Sequence, residues 1–169
     1  VQCPPHGGDT MFIDCHAVYD SLSPAMQTFL AGLTCIHDDA RGDKKAEHPV
    51  VRTHPDTGRP ALFVNKQFSR RIPQLSRPES QMLLSYLYRW QEQVQFSARW
   101  RWSPGDVVMW DERTTLHAMV NDTEGRRELR RASVLGDRPQ AYAPDAIGEP
   151  FGLPKTASSG FYGIGSYEF

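Results

Sequence analysis

Short alternations of apolar and polar positions run through most of the chain, with turn sequences between them. In residues 10–15, Met11, Ile13 and Cys15 fall on one face of an extended chain. Residues 55–58, with the sequence Pro-Asp-Thr-Gly, are typical of a tight turn, because proline fixes one dihedral angle and glycine accepts a positive one. The same pattern predicts further strands over residues 34–37, 49–54, 60–64, 96–102 and 107–110.

Two segments follow a helical period instead. Ser23 and Pro24 are typical of a helix start, and the apolar stripe behind them consists of Met26, Phe29, Leu30 and Leu33. A longer helix is predicted over about residues 78–93, because Ser76 and Glu79 match a capping box. Strands joined by turns, with two outer helices, predict a mainly β domain with flanking helices.

Two stretches have no periodic pattern. Residues 38–47 are almost wholly polar, which predicts a surface loop. From residue 136 onward the chain is rich in Gly, Pro and Tyr. We therefore divide the chain into a domain over residues 1–140 and an irregular extension over residues 141–169, expected to pack on the domain or to form a homo-oligomer contact.

Composition narrows the class of protein. A chain of 169 residues can bury a core, and its net charge of -1 gives no electrostatic reason to expect nucleic acid or an anionic membrane as partner. Cys3, Cys15 and Cys35 are an odd number without metal-binding spacing, which favours a reducing, cytoplasmic setting. No apolar run approaches the roughly 18 residues that span a bilayer.

Candidate chemistry is concentrated between residues 107 and 133. His117 follows an apolar run, and the turn-forming residues 121–125 separate it from Arg127. An antiparallel hairpin would bring His117 close to a strand on which Arg127 and Arg131 share one face. Two inward arginines indicate an anionic ligand, because an unpaired buried guanidinium is costly. Arginines that are solvated, or paired with nearby glutamates, explain the same spacing without a ligand.

A series of short motifs extends from about residue 5 to about residue 140. They are Gly7-Gly8-Asp9-Thr10, residues 48–55 (HPVVRTHP), 62–65 (LFVN), 99–102 (RWRW) and 104–107 (PGDV), Trp110-Asp111, the block from His117 to Arg131, and Leu135-Gly136-Asp137. In these motifs and in their order the chain resembles the TauD/TfdA (taurine dioxygenase) family of Fe(II)- and 2-oxoglutarate-dependent oxygenases. The resemblance implies a double-stranded β-helix, or jelly roll, incomplete at its N-terminal side.

The resemblance implies one metal ligand in this chain. His117 matches the last histidine of the family's H-x-D…H set, in which two histidines and one carboxylate hold the iron. A buried histidine satisfied by backbone groups is the structural alternative. The H-x-D pair is expected upstream of Val1. Two weaker local candidates are His37-Asp38-Asp39, beside the polar loop, and His6-Gly7-Gly8-Asp9, whose spacing is wrong for two ligands from one strand.

Further positions match binding residues of the family. Arg127 matches the anchor of the distal carboxylate of 2-oxoglutarate, which a planar guanidinium can grip with two parallel hydrogen bonds. Thr10 would donate a hydroxyl to the same carboxylate. Arg131 matches a position that contacts an anionic substrate. Phe68 matches one that packs on the substrate, although simple core filling explains it nearly as well.

Other positions near the candidate ligand receive different interpretations. Trp102 and Trp110 are assigned to the walls of the core. Glu112 stands where relatives often have asparagine, while Leu116 and Ala118 replace a common glutamine and tyrosine. These departures imply that the substrate need not be taurine.

The resemblance thus implies a dioxygenase that uses Fe(II), 2-oxoglutarate and O2 to hydroxylate an unactivated C–H bond of a small anionic molecule. A sulfonate, sulfate ester or carboxylate is expected as substrate, with succinate and CO2 as co-products. Two alternatives remain open. One is a biosynthetic relative that halogenates, desaturates or closes rings, and the other is a non-catalytic 2-oxoglutarate-binding relative that lacks the H-x-D ligands.

Overall fold

Three small antiparallel sheets form the framework of the computed structural model, which describes residues 2–39 and 45–143. Their strand orders are β7-β1-β8, β3-β2-β6 and β5-β4-β9. The strands are β1 Thr10–Asp14, β2 Thr34–Asp38, β3 Lys45–Pro49, β4 Val51–Thr53, β5 Pro60–Leu62, β6 Ser69–Arg71, β7 Ser97–Trp100, β8 Thr115–Met119 and β9 Gln140–Ala141. The predicted mainly β character with few helices is confirmed.

Side-chain caps determine where the helices start. The predicted helices are α2, Pro24–Ala31, and α3, Arg77–Gln91. Ser23 Oγ accepts from the Met26 amide, and the Glu79 carboxylate accepts from the amide and hydroxyl of Ser76. A further helix, α1, Cys15–Asp20, was not predicted. It begins where the Asp14 carboxylate accepts the amides of His16 and Ala17.

Several predicted elements are wrong. Residues 107–110 form no strand, and the exposed side chains of Val107 and Met109 lie on that segment. The strand expected to carry Arg127 and Arg131 is also absent, since residues 126–133 contribute only a single bridge between Gln2 and Glu128. The predicted hairpin therefore does not form. Strand-like sequence becomes a strand only where a neighbour takes up its backbone hydrogen bonds.

Two boundaries also differ from the predictions. Residues 45–47, expected in the polar loop, belong to β3, while residues 40–44 lie outside the described residues. Phe29, expected in the apolar stripe of α2, is exposed, whereas Leu30 and Leu33 are buried. The stripe is therefore narrower than predicted.

The β7-β1-β8 sheet positions the candidate ligand. β1 pairs with both neighbours, with Phe12 opposite His117 and Thr10 opposite Met119. Side chains alternate along a strand, and directly paired residues share a face. Thr10, Phe12 and His117 therefore lie on one face of the sheet.

The hydrophobic core lies between α1, α3 and the other two sheets. Its fully buried members include Val18, Leu30, Val50, Val51, Leu62, Val64, Ile72 and Leu87. Arg52 is also buried, with its guanidinium 5.0 Å from the ring centroid of Phe63. Cys3, Cys15 and Cys35 are free thiols.

The C-terminal part of the described chain remains attached to this core. The predicted boundary between residues 140 and 141 falls inside β9, and the Tyr142 ring lies 5.9 Å from that of Tyr19. Residues 144–169 lie outside the described residues, so the predicted extension remains a prediction. Within the described ranges, no helix is both long and apolar enough to cross a membrane. The cytoplasmic location also remains a prediction.

Replacement of Leu87 should test the core directly. Leu87 is fully buried in α3, so Leu87→Ala should lower the free energy of unfolding by about 2 to 5 kcal/mol, measured by urea denaturation. Met82→Ala, on the same helix but 70% exposed, is the matched control and should change it by less than about 0.5 kcal/mol. Equal losses in the two variants would contradict the assigned packing of α3.

Candidate functional site

An aromatic cluster surrounds the candidate ligand His117. Its ring lies 5.0 Å from that of Trp110 and 6.4 Å from that of Phe12. His117 as a whole is nevertheless exposed to solvent. Partial burial of the ring lowers the pKa of His117, and the nearby positive charge of Arg131 lowers it further, while Glu112 opposes the shift. His117 therefore favours the neutral form, which a metal ligand requires.

Arg127 reaches the same face of the sheet without the predicted hairpin. Its Nε donates to the Gly8 carbonyl oxygen at 2.7 Å, and Nη2 donates to the Thr10 hydroxyl oxygen at 3.3 Å. A guanidinium has five N–H donors, so three remain for other acceptors. The structure thus brings Thr10 and Arg127 together, on the sheet face that also carries His117.

Gly8 makes this approach sterically feasible. A Cβ atom on this residue would lie 2.8 Å from Cδ of Arg127 and 2.6 Å from Oγ1 of Thr123. The φ angle of Gly8 is +71°, which also disfavours other residues. Arg127 therefore depends on a glycine at this position.

A bridge of two acids and one arginine holds the glycine segment in place. Arg99 donates through Nε to Asp9 at 2.6 Å and through Nη2 to Asp122 at 3.0 Å. The other carboxylate oxygen of Asp122 accepts the Gly8 amide at 2.9 Å. Sequence reasoning placed Gly8, Asp9 and Arg99 in motifs but did not predict this bridge, because it connects positions far apart in the chain.

Trp102 contacts the site directly. Its indole Nε1 donates to the Thr10 hydroxyl oxygen at 2.9 Å. The predicted role of Trp102 as a core wall is therefore wrong, because the residue is only partly buried and its polar atom is committed to Thr10. The RWRW motif located Trp102, but nothing in the local sequence indicated its partner.

The arginines of the 126–131 segment differ in their electrostatic surroundings. Arg126 pairs with Glu128, and Arg131 pairs with Glu112. Arg127 is partly buried, which lowers its pKa, and within residues 2–39 and 45–143 it forms no ion pair with an acidic side chain. Its charge is therefore less compensated than that of Arg126 or Arg131, and it is less exposed to solvent than that of Arg130.

Arg131 also lies beside the aromatic cluster. Its guanidinium carbon is 5.9 Å from the ring centroid of Trp110, whose ring contacts His117. The indole nitrogen of Trp110 is buried and has no hydrogen-bond partner among residues 2–39 and 45–143. Arg131 is thus close to His117, although the charge of Arg131 is already neutralised by Glu112.

Comparisons with known proteins identify the family. The model of the Taurine catabolism dioxygenase TauD, TfdA family matches residues 1–133. The chain belongs to the TauD/TfdA family.

Three members of this family show how far the similarity extends. An alpha-ketoglutarate-dependent 2,4-dichlorophenoxyacetate dioxygenase from Cupriavidus pinatubonensis is 40% identical over 81% of this chain and 53% of its own length. An alpha-ketoglutarate-dependent sulfonate dioxygenase from Saccharomyces cerevisiae is 35% identical over 82% of this chain and 38% of its own. The crystal structure of a taurine dioxygenase from Burkholderia xenovorans superimposes with a TM-score of 0.70 at 35% identity, covering 72% of this chain and 45% of that one. The chain therefore spans about half the length of these relatives, or less.

The described residues do not assemble a complete iron site of the TauD/TfdA type. In the described part of the chain, no group of three His, Cys, Asp or Glu side chains could hold a metal ion. Within His6-Gly7-Gly8-Asp9, the Asp9 carboxylate is already bound by Arg99. The role of His117 as a ligand, like the position of an H-x-D pair, remains a prediction.

His37, the other local candidate, has a structural environment. Its side chain is 2% exposed, Nε2 lies 3.2 Å from Ser69 Oγ, and its ring stacks on Phe63 at 5.6 Å and meets His48 edge-on at 5.1 Å. Burial, with smaller contributions from the charges of His48 and Arg70, lowers the pKa of His37 to about 3. These contacts describe a neutral core histidine.

Phe68, the predicted substrate contact, lies between β5 and β6. Its carbonyl oxygen accepts the Asp38 amide at 2.8 Å, which connects it to the β3-β2-β6 sheet. Its role in substrate binding remains a prediction.

A network that sequence reasoning missed supports the segment before β8. Asp111 accepts from Nε2 of the buried His54 at 2.9 Å and from Nη2 of Arg113 at 2.6 Å, and Arg113 also pairs with Asp56. Nδ1 of His54 accepts the amides of Asp56 and Thr57, so Nε2 carries the proton. The turn after β4 is therefore joined to the residues that lead to His117.

Burial of neutral His37 should make stability depend on pH. The pKa of His37 is about 3 in the folded state and about 6.5 in the unfolded state. The contribution of this group to the free energy of unfolding is therefore fully present above about pH 6.5 and is lost as the pH falls toward 3. Urea denaturation should show a slope approaching about 1.4 kcal/mol per pH unit from this group within that window. His37→Gln should reduce the slope, leaving the parts due to His48, to His117 and to the acidic groups that titrate in this window. An unchanged slope would show that His37 does not titrate as proposed.

Proposed function

We propose that Arg127 and Thr10 bind the distal carboxylate of 2-oxoglutarate. The observation that carries the proposal is the uncompensated charge of Arg127, which lies partly buried with three N–H donors still available. A carboxylate would supply the missing charge and accept paired hydrogen bonds. Thr123 Oγ1 is a further polar group close to Gly8, and it is buried with no hydrogen-bond partner in the described part of the chain.

On this basis the protein of which the chain is part is a 2-oxoglutarate-dependent dioxygenase. It would hydroxylate an unactivated C–H bond of a small substrate with Fe(II) and O2, and would form succinate and CO2. The relatives named above act on dichlorophenoxyacetate and sulfonates, both of which are anionic. His117 would be one iron ligand, and iron would supply the oxygen-activating chemistry.

The same proposal extends to the fold. The three sheets would be parts of a double-stranded β-helix, with the face of Thr10, Phe12 and His117 directed toward its interior. The solvent-exposed position of His117 in the described residues is compatible with further chain covering this face.

Arg131 would then orient an anionic group of the substrate. Arg131 lies next to Trp110 and close enough to His117 for its charge to lower the pKa of that histidine. Among the described residues, its acidic partner is Glu112. Because Glu112 already pairs with Arg131, a sulfonate or carboxylate would compete with this side chain. Glu112 would therefore weaken the preference for strongly anionic substrates relative to members with asparagine at this position.

Loss of Arg127 should remove the co-substrate site. Arg127→Ala should weaken 2-oxoglutarate binding by about 100-fold or more, because a partly buried, charge-assisted contact is lost, as measured by isothermal titration calorimetry of the full-length protein. Arg126→Ala, adjacent but exposed and paired with Glu128, is the matched control and should leave the affinity unchanged. Equal affinity of Arg127→Ala and wild type would remove Arg127 from the site.

Opposite changes are expected from the two members of the Glu112–Arg131 pair. Arg131→Ala should raise KM for an anionic substrate by about threefold to tenfold, and Glu112→Gln should lower it, since both groups are partly exposed and screened. Steady-state assays with sulfonates, sulfate esters and aryloxyacetates would measure both. Exposed Arg130 provides the control variant Arg130→Ala. A KM that rises in Glu112→Gln would contradict competition for Arg131.

A further inference from the structure

The hydroxyl group of Thr10 has a defined set of partners. Thr10 is 6% exposed, and its Oγ1 accepts from the indole N–H of Trp102 at 2.9 Å and from Nη2 of Arg127 at 3.3 Å. A hydroxyl oxygen has two lone pairs and one hydrogen. Both lone pairs are therefore engaged by donors, and only the hydrogen remains to be placed.

No described residue accepts that hydrogen. Among residues 2–39 and 45–143, the hydrogen bonds of Oγ1 are the two in which it is the acceptor. Trp102 and Arg127 carry no acceptor atom in their donating groups, so the proton cannot point at either of them. The hydroxyl is consequently oriented as a donor toward a third group.

We propose that Trp102 is a positioning residue that makes Thr10 a hydrogen-bond donor to the distal carboxylate of 2-oxoglutarate. The inference rests on the proposed function, because it takes Arg127 and Thr10 as the site of that carboxylate. Without the indole N–H, one lone pair of Oγ1 is vacated and the hydroxyl can rotate away from the ligand or bind water. Arg127 alone does not prevent this rotation, since it occupies one lone pair at the longer distance of 3.3 Å.

Trp102→Phe is the direct test, because phenylalanine keeps an aromatic ring and lacks the N–H. It should weaken binding of 2-oxoglutarate to the full-length protein by about tenfold in isothermal titration calorimetry. The affinity for 2-oxopentanoate should not change, since this ligand has the same carbon chain with a methyl group in place of the distal carboxylate. Trp90→Phe is the matched control, because it also removes an indole hydrogen bond, to Ser21 Oγ at 2.9 Å, but on α3.

A double-mutant cycle separates positioning from a merely structural role. If Trp102 acts through the hydroxyl, Trp102→Phe should have no further effect, within about twofold, in a Thr10→Val background. Thr10→Ser, which retains the hydroxyl, should keep most of the wild-type affinity and the sensitivity to Trp102→Phe. Should Trp102→Phe fail to fold, site-specific replacement of Trp102 by benzothienylalanine keeps the bicyclic shape and removes the N–H.

The outcomes distinguish this inference from the proposed function. If Arg127→Ala abolishes binding but Trp102→Phe binds like wild type, or adds fully to Thr10→Val, Trp102 does not position the hydroxyl and the inference is overturned. If the wild-type protein does not bind 2-oxoglutarate, or Arg127→Ala binds equally well, the proposed function itself fails and the inference fails with it. Tenfold weaker binding, specific to 2-oxoglutarate and absent in the Thr10→Val background, supports both.

Discussion

The partly buried guanidinium of Arg127 is the constraint on which the rest of the candidate site depends. It is held by the Gly8 carbonyl oxygen and the Thr10 hydroxyl, with no acidic partner among the described residues. A charge in this position is costly unless an anion compensates it. The contact between Arg127 and the Gly8 carbonyl oxygen therefore needs a residue without a side chain at position 8. It also needs the bridge from Arg99 to Asp9 and Asp122, which holds the glycine segment in place.

Nearby arginines of one segment have different electrostatic roles. Glu112 neutralises Arg131 at the surface, where pairing is weak and exchangeable, whereas Arg127 lies deeper and has no such partner within the described ranges. The first arrangement suits a group that must accept and release different substrates. The second suits a ligand whose carboxylate is always the same. Trp102 adds a directional hydrogen bond beside this charge, because it determines which way the Thr10 hydroxyl donates.

Local sequence signals predicted elements whose stabilising contacts are themselves local. The capping groups Ser23 and Glu79 and the positive φ of Gly58 act within four residues, so their helices and turn were predictable. The apolar run at 107–110 has strand propensity, yet a strand also needs a partner, and none is present in the described chain. Helix α1 was missed because Asp14, read as a strand residue, is also its cap.

The sequence by itself determined the family, the alternation that puts Thr10 and Phe12 on one face, and the residue types able to bind a carboxylate. These properties depend on neighbouring residues or on short motifs that can be read directly from the sequence. Only the tertiary structure decided that Arg127 meets Thr10 across Gly8 without a hairpin, that Trp102 bonds to Thr10, and that Glu112 takes Arg131. Each of these contacts joins residues 19 or more positions apart, so it depends on how the sheets pack and not on local spacing.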